Sequence, residues 1–154
     1  MTDDANWYDE IVFPALLRAA RTTYAGAIRE AVTEAGYGDV PRNGSFVLGG
    51  IARNGSPLRD VIRALGISKQ AAGQLVDTLV IRGYLGREPD PDDRRRMTVT
   101  LTERGRAAAA ASRAAVERVD AELNARVGEE RVAHARATLA ALVDIGHESD
   151  RGGD

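Results

Sequence analysis

The sequence contains no cysteine, and this absence excludes disulfide bonds, thiolate metal sites and redox sensing by a thiol. It also has no apolar run that approaches the roughly 20 residues of a membrane-spanning helix. The opening residues, MTDDANW, are acidic and lack the basic start and apolar stretch of a secretory signal. These absences predict a cytoplasmic protein with no membrane partner.

Residues suited to catalysis or metal binding are equally scarce. The two histidines, His134 and His147, have no ligand-spaced partners. No Ser-His-Asp order, nucleophile elbow or phosphate-binding glycine loop is present in the sequence. Asp90, Asp92 and Asp93 could suggest a calcium loop, but the required glycine and distal glutamate are missing. We therefore expect no enzyme activity, no catalytic residues, no metal site and no cofactor.

Positive charge is concentrated in the middle of a chain whose formal net charge is −2. Between residues 53 and 74 there are four basic side chains and a single acidic one. More arginines follow between residues 87 and 106, whereas acidic residues collect towards both termini. Contacts with phosphates act within about 8 Å at physiological salt, so a local basic face is compatible with nucleic-acid binding despite the negative net charge.

Residues 84–105, YLGREPDPDDRRRMTVTLTERG, predict a β-hairpin with an arginine-rich tip. The proline and aspartate residues in its middle favour a turn. The segment MTVTL that follows alternates apolar and threonine side chains, which is the period of a half-buried strand. Arg94, Arg95 and Arg96 would stand at the exposed tip, where a planar, permanently charged guanidinium suits contact with phosphates or a narrow groove.

Two short helices are predicted before the hairpin. The first covers residues 57–65, where apolar residues recur at helical spacing, and Gly66 ends it. Ser68 can cap the second helix, predicted over residues 69–82, and Gly83 ends that helix. Two helices joined by a short glycine-containing turn form a helix-turn-helix, and a hairpin after the second helix makes the motif winged.

Further helices flank this motif on both sides. A long helix is predicted over residues 7–36 and a short one over 43–53. After the hairpin, Thr102 can cap an alanine-rich helix that reaches about Val127, and a last helix runs to about Ile145 before a frayed polar tail. The expected fold class is mostly α with a small β-hairpin wing.

The middle third of the chain closely resembles the MarR (multiple antibiotic resistance regulator) family of bacterial transcriptional repressors. That family's wing signature, Asp-x-Arg, five residues, then Leu-Thr-x-x-Gly, is matched without a gap by Asp93, Arg95, Leu101, Thr102 and Gly105. The helix-turn-helix carries two further matches, formed by Leu65, Gly66 and Ser68 and by Leu75, Val76 and Asp77. The resemblance implies a winged helix-turn-helix with long flanking dimerisation helices and double-stranded DNA as a partner.

The second helix of the motif would then be the DNA recognition helix. Its expected contact residues are Ser68, Lys69, Gln70, Gly73 and Gln74, with Arg94, Arg95 and Arg96 of the wing. Glutamine can pair with the N6 and N7 edge of adenine, and a glycine between two glutamines lets the backbone approach the duplex. Family members often carry small polar and basic residues where this chain has Gly73 and Gln74. The alternative to DNA contact is that these residues form a solvated helix face in which the glycine is tolerated.

The wing arginines also have two readings. The resemblance implies that Asp93 supports the wing, by orienting Arg95 or by bracing the hairpin, while an arginine at the tip enters the minor groove. The alternative is a solvated turn in which the arginines pair with the neighbouring aspartates.

Dimerisation is the second expectation that the resemblance carries. Residues 7–36 and 113–147 would form a helical dimerisation region, intertwined in one unit with the winged helix-turn-helix of residues 42–112. The terminal helices have more apolar positions than a small winged domain needs, including Ile11, Leu16, Leu139, Leu142 and Ile145. The alternative is that these helices pack only within their own chain.

A small-molecule effector is the third expectation, because the family often places a pocket between the first two helices and the fifth. Tyr24 and Phe46 are candidates for its lining, although core and dimer packing is the better explanation for each of them singly. The sequence thus predicts a homodimeric, sequence-specific DNA-binding regulator, a ligand-responsive repressor with a palindromic operator. The alternative is a winged-helix module that binds protein without reading DNA.

Overall fold

The computed structural model describes residues 6–54, 57–95 and 97–151. Arg96, a predicted DNA contact, therefore lies outside the described residues. The six helices and two strands described run in the order α1 (Phe13–Glu34), α2 (Gly44–Asn54), α3 (Leu58–Leu65), α4 (Lys69–Ile81), β1 (Leu85–Pro89), β2 (Met97–Leu101), α5 (Glu103–Val127) and α6 (Glu129–Arg151). The fold is a winged helix-turn-helix between long helices, so the predicted fold class is confirmed.

The first helix starts later than its predicted start at residue 7. Residues 7–10 form a turn, in which the Asp9 amide donates to the Asn6 carbonyl at 2.8 Å. Helix α1 begins at Phe13, which places Pro14 in the first turn. Proline has no amide hydrogen to donate, and only the first turn of a helix tolerates that loss. The proline therefore sets the start of α1.

The helix-turn-helix forms as the sequence predicts. Gly66 ends α3 in the left-handed conformation, with φ of 63°. The Ser68 hydroxyl then accepts the Ala71 amide at 3.2 Å and caps α4. Gly83, with φ of 74°, follows the last turn of α4 and leads into the wing. Glycine adopts positive φ without the Cβ clash that other residues meet, so these two glycines determine where the two helices end.

The wing is an antiparallel pair in which Leu85 lies opposite Leu101 and Pro89 lies opposite Met97. The predicted alternation of buried and exposed positions along β2 is wrong. Met97 is 59% exposed, and the four residues after it are all half-buried. The reason is that burial follows distance from the core: Leu85, at the root, is buried, whereas Met97 is the β2 residue nearest the tip.

The main core lies between α2, α4, α5 and the root of the wing. Its largest fully buried side chains are Val47, Leu48, Leu79, Tyr84 and Leu85. The helix α5 approaches this core closely at Gly105, where an added Cβ would lie 2.0 Å from the carbonyl oxygen of Tyr84. Any larger residue at Gly105 would therefore push α5 away from the wing root.

Gly105 and Thr102 both belong to the Leu-Thr-x-x-Gly signature, and the hydrogen bonds of Thr102 explain why a threonine stands there. Its hydroxyl accepts the Gly105 amide at 3.0 Å and so caps α5. The same hydroxyl lies 2.5 Å from the Gly83 carbonyl, to which it donates. One side chain thus ends the wing, begins α5 and holds both against the end of α4.

The chain divides into two compact units between Val116 and Glu117. The second unit contains the end of α5 and all of α6, separated by Gly128 with φ of 85°. Within it, Arg136 lies 3.5 Å from Asp120. Helix α6 continues to Arg151, beyond the predicted end near residue 145, so most of the tail expected to fray is helical. None of the helices described has the length and apolarity needed to span a bilayer.

Candidate nucleic-acid interface

Helix α4 presents one polar face and buries the other. Lys69, Gln70, Gly73 and Gln74 are all exposed, as expected of a contact face, and the buried positions include Leu75. Ala71 is also exposed although the next residue, Ala72, is buried, because neighbouring residues of a helix lie about 100° apart around its axis.

Gly73 lies in open space in the middle of this face. A Cβ added there would meet no atom within 4 Å. Packing inside the chain therefore gives no reason for a glycine at this position, which costs a helix interior about 1 kcal/mol relative to alanine. The exposed glutamines Gln70 and Gln74 flank it. A surface that must let another molecule approach the backbone would account for this glycine.

Arg94 and Arg95 are exposed at the tip of the wing. Asp93 accepts the backbone amide of Arg95 at 3.0 Å, and Asp90 accepts the amide of Asp92 at 2.9 Å. The carboxylates therefore shape the turn through the backbone. Across the described residues, neither arginine forms an ion pair with these aspartates. Both guanidinium groups thus project from a backbone that the aspartates hold.

An ion pair joins the wing to the exposed helix. Arg87 on β1 lies 2.6 Å from the Asp77 carboxylate on α4, and both side chains are at least half exposed. Sequence reasoning noted Asp77 as part of a motif and Arg87 as one basic residue among several, but it did not pair them. The two residues are ten positions apart on different elements, so no local pattern indicates the contact.

A second polar cluster lies at the root of the wing and was also missed by sequence reasoning. The Tyr84 hydroxyl donates to the Asp39 carboxylate. Arg104 donates to the same carboxylate at 2.9 Å, and the carbon of its guanidinium lies 4.6 Å from the centre of the Tyr84 ring. The cluster ties the loop before α2 to the wing root and to the start of α5.

Burial and the neighbouring Asp39 carboxylate raise the pKa of the Tyr84 hydroxyl to about 12. The hydrogen bond from Tyr84, and then the nearby charge of Arg104, lower the pKa of Asp39. The tyrosine is therefore protonated and the aspartate ionised at neutral pH, which is the arrangement that their hydrogen bond requires.

A cavity of about 340 Å³ lies between α1, α2 and the first half of α5. Its lining is mostly apolar and includes Ile28, Phe46 and Val116. Phe46, one of the two residues predicted to line a pocket, is therefore at this cavity and 50% exposed. Tyr24, the other, is half-buried on α1 and is not among the lining residues.

The apolar residues predicted to form a dimer interface are largely exposed in the single chain. Ile11 is 38% exposed, Leu142 43% and Ile145 61%. Leu139 is also exposed, and Leu16 is half-buried. They lie in both compact units, on the segment leading into α1, on α1 and on α6.

The fold and these exposed polar surfaces define a winged helix-turn-helix protein, and comparison with known proteins shows which proteins it is similar to. Residues 39–96 match the model of the MarR family. No curated protein sequence matches the chain significantly.

Solved structures match over nearly the whole chain. A "probable transcriptional regulator" from Pseudomonas aeruginosa is 27% identical, with a TM-score of 0.64 over 87% of this chain and 97% of the other. The transcription regulator MarR from Oenococcus oeni is 15% identical, with a TM-score of 0.67 over 86% of this chain and 99% of the other. MepR of S. aureus, solved as a DNA complex, is 20% identical, with a TM-score of 0.66 over 88% and 98%. Residues 39–96 of the chain thus match the MarR family, and the chain has the fold of these transcription regulators.

Proposed function

We propose that this protein is a homodimeric, sequence-specific DNA-binding repressor that a small ligand releases from a palindromic operator in the cytoplasm. The observation that carries the proposal is the exposed face of α4, where Gln70, Gly73 and Gln74 have no role in the core of their own chain. A glycine in the middle of this helix costs stability without serving the fold, so the face is best explained by a partner outside the chain.

The chemistry of this face fits a DNA duplex. Gln70 and Gln74 lie one turn apart, and each can form the paired hydrogen bonds that identify adenine in the major groove. Arg94 and Arg95 supply positive charge, and among the described residues neither forms an ion pair with the aspartates beside it. In this proposal the glutamines discriminate between bases, and the arginines contribute affinity that does not depend on sequence.

The related fold of S. aureus MepR was solved as a DNA complex. That likeness supports a duplex as the partner of the present chain, because both proteins have a winged helix-turn-helix of the same overall fold. It does not specify the bases that are read, since α4 of this chain has its own side chains at the exposed positions.

The dimer is proposed from the apolar surface of the terminal helices. A single chain leaves Ile11, Leu139 and Leu142 exposed to water at 38–43% of their surface. Exposed apolar side chains that recur along one helix, as Leu139 and Leu142 do on α6, are typical of an interface. A two-fold dimer would present two copies of α4, and its operator would then repeat with about 10 bp between half-site centres.

Binding-site selection from a random duplex pool, followed by fluorescence anisotropy at several salt concentrations, tests the proposal. We expect a palindromic consensus and an affinity that falls steeply with salt, since each phosphate contact contributes about −0.9 to the logarithmic slope. Light scattering should give a dimer at micromolar protein. Selection that returns no consensus, together with no salt-dependent duplex binding, would instead favour a winged-helix module that binds protein.

A further inference from the structure

We propose that Arg104 is a positioning residue for DNA binding, which holds the root of the wing against the C-terminal end of α1 and so fixes the direction in which the wing points. Arg104 does not contact DNA in this proposal and acts only through the wing tip. The effect on DNA rests on the proposed function, whereas the rigidity of the wing does not.

The loop that Arg104 contacts is itself tied to the end of α1. Gly36, with φ of 88°, follows the end of that helix, and the Tyr37 amide donates back to the Val32 carbonyl at 2.9 Å. The Val40 amide then donates to the Tyr37 carbonyl at 3.1 Å, which closes a turn around Asp39. Asp39 is therefore held at a set position relative to α1.

Three elements of the chain converge on this aspartate. Arg82, directly after α4, donates to the Asp39 backbone carbonyl. Tyr84, directly before β1, and Arg104, in the first turn of α5, both donate to the Asp39 carboxylate. The end of the exposed helix, the root of the wing and the start of α5 thus share one anchor.

Arg104 joins its partners through a single planar group. Its Nη2 donates to the Asp39 carboxylate at 2.9 Å and to the Tyr84 hydroxyl at 3.0 Å. The guanidinium carbon lies 4.6 Å from the ring centre of Tyr84 and 5.3 Å from that of Tyr37. Stacking on aromatic rings combined with directed donation is a property of arginine that lysine lacks, so the contacts specify this residue type.

Stability alone is a poor explanation for this arrangement. The side chains of Arg104 and Asp39 are 40% and 48% exposed, and exposed ion pairs stabilise a fold only slightly. In addition, the Arg104 Nε is buried and has no hydrogen-bond partner among the described residues, which is unfavourable. What the contacts do provide is a fixed geometry between the end of α1 and the wing.

A fixed root matters because a small tilt there becomes a larger displacement at the tip. Leu85 lies at the root and Pro89 at the far end of β1, four residues on, which is about 13 Å at about 3.3 Å per residue. A tilt of about 10° would move the end of the strand by about 2 Å, which is enough to break a hydrogen bond. Arg94 and Arg95, which lie beyond that end, would move at least as far.

The first test measures hydrogen exchange in the whole protein without DNA. Arg104→Gln should speed exchange in the wing strands at least about tenfold more than exchange in α2, which packs in the core. Arg104→Lys should have a smaller effect, because it keeps the charge beside Asp39. Arg118→Gln, at an exposed position on the same helix, is the matched control and should exchange like the parent protein. Parental exchange in the wing, or equal acceleration in the wing and α2, would overturn the proposal.

A second variant keeps this test decisive if Arg104→Gln does not fold. Asp39→Asn removes the charge that Arg104 contacts and leaves a side-chain oxygen that can still accept the Tyr84 hydroxyl. It should also speed exchange selectively in the wing strands. Wing exchange at the parental rate in Asp39→Asn would count against the role of Arg104 in the same way.

The second test asks whether Arg104 acts on DNA through the wing tip. Arg104→Gln should weaken duplex binding several-fold in fluorescence anisotropy, at a temperature at which circular dichroism shows the variant to be folded. In a protein that already carries alanine at Arg94 and Arg95, the same change should have no further effect, because the contacts that it misplaces are already gone. An additive loss would mean that Arg104 affects DNA binding by another route, and the proposed role would be wrong.

The two tests together separate this proposal from the proposed function. If the parent protein binds no duplex, the DNA-binding function fails, and selective loosening of the wing in Arg104→Gln would still support the structural role of Arg104. If the duplex is bound through Arg94 and Arg95 but Arg104→Gln neither loosens the wing nor weakens binding, only the role of Arg104 fails.

Discussion

Arg87 of the wing lies 2.6 Å from Asp77 of helix α4. This ion pair connects the two elements that are proposed to contact DNA, and it does so at a solvent-exposed position. Exposed ion pairs contribute only about 0–1 kcal/mol to stability. We infer that its main effect is to hold the wing at a set distance from the exposed face of α4.

Replacing Arg87 should therefore affect DNA binding more than folding. Arg87→Gln should lower duplex affinity several-fold and change the unfolding temperature little, measured by anisotropy and calorimetry. Arg126→Gln is the matched control, because Arg126 forms a similarly exposed pair with Glu122 at 2.8 Å. Asp77→Asn distinguishes the two roles open to Arg87. It should weaken DNA binding if the pair positions the wing, whereas tighter binding would mean that Arg87 contacts phosphate directly.

The tip arginines should contribute affinity without sequence preference. Alanine at both Arg94 and Arg95 should weaken binding to every duplex, and it should flatten the salt dependence by about one unit of logarithmic slope for each lost phosphate contact. The fold and the dimer should persist, since both side chains are exposed. Alanine at Arg29 and Arg131 removes equal charge elsewhere and serves as the control. Parental DNA affinity in the wing variant would contradict the assignment.

Gln74 should read a base. Gln74→Ala should relax the preference at one position of each half-site, at a cost of about 1–3 kcal/mol there, while binding to random duplex barely changes. Binding-site selection with the variant and the parent protein measures this directly. An identical consensus from both proteins would show that Gln74 does not determine the base preference.

Leu142 should hold the dimer together. It is 43% exposed on α6, and Leu142→Asp would place a charge in the proposed interface, where burial of an unpaired carboxylate is costly. We expect a monomer by light scattering, loss of tight operator binding and largely retained helical content. Ala137→Asp makes a similar change at an exposed position on the same helix and should remain dimeric. A monomeric parent protein with full operator affinity in the Leu142 variant would exclude the dimer model.

The Tyr84 cluster predicts a loss of stability at alkaline pH. The pKa of Tyr84 is raised from 10.0 to about 12 by burial and by Asp39. Its stabilising contribution is therefore complete below about pH 10 and is lost as the pH rises through about 12. Chemical unfolding should give Tyr84→Phe a lower free energy of unfolding than the parent protein at neutral pH. Between about pH 10 and 12, the free energy of unfolding of the variant should fall less steeply than that of the parent. Tyr8→Phe, at an exposed tyrosine, is the control and should show the same dependence of stability on pH as the parent protein. The same dependence in Tyr84→Phe would show that the cluster does not stabilise the fold.

Several features of the candidate site could be predicted from the sequence because they depend on residues close together in the chain. Ser68 caps α4, Gly66 and Gly83 end the two helices of the motif, and Thr102 caps α5. Each is a contact within a few residues, where side-chain chemistry and backbone conformation decide the structure without help from the rest of the fold. The start of α1 follows the same rule, and the periodicity that placed it at residue 7 was outweighed by the local effect of Pro14.

Other features required the tertiary structure. Tyr84 and Asp39 are 45 residues apart, and Arg104 and Asp39 are 65 residues apart, so no local pattern joins them. Burial along β2 depends on distance from a core that several distant segments build, and this is why an alternating sequence did not give alternating exposure.

The sequence by itself thus determined the presence of the helices, the ends of the two helices of the motif, the wing and the resemblance to the MarR family, because these depend on local chemistry and on short motifs. Only the tertiary structure decided that Asp77 pairs with Arg87 and that Arg104 lies against both Tyr37 and Tyr84. The physical reason is that the energy of a contact between distant segments depends on how the whole chain packs. A residue's partner, burial and charge environment are therefore set only once the elements have come together.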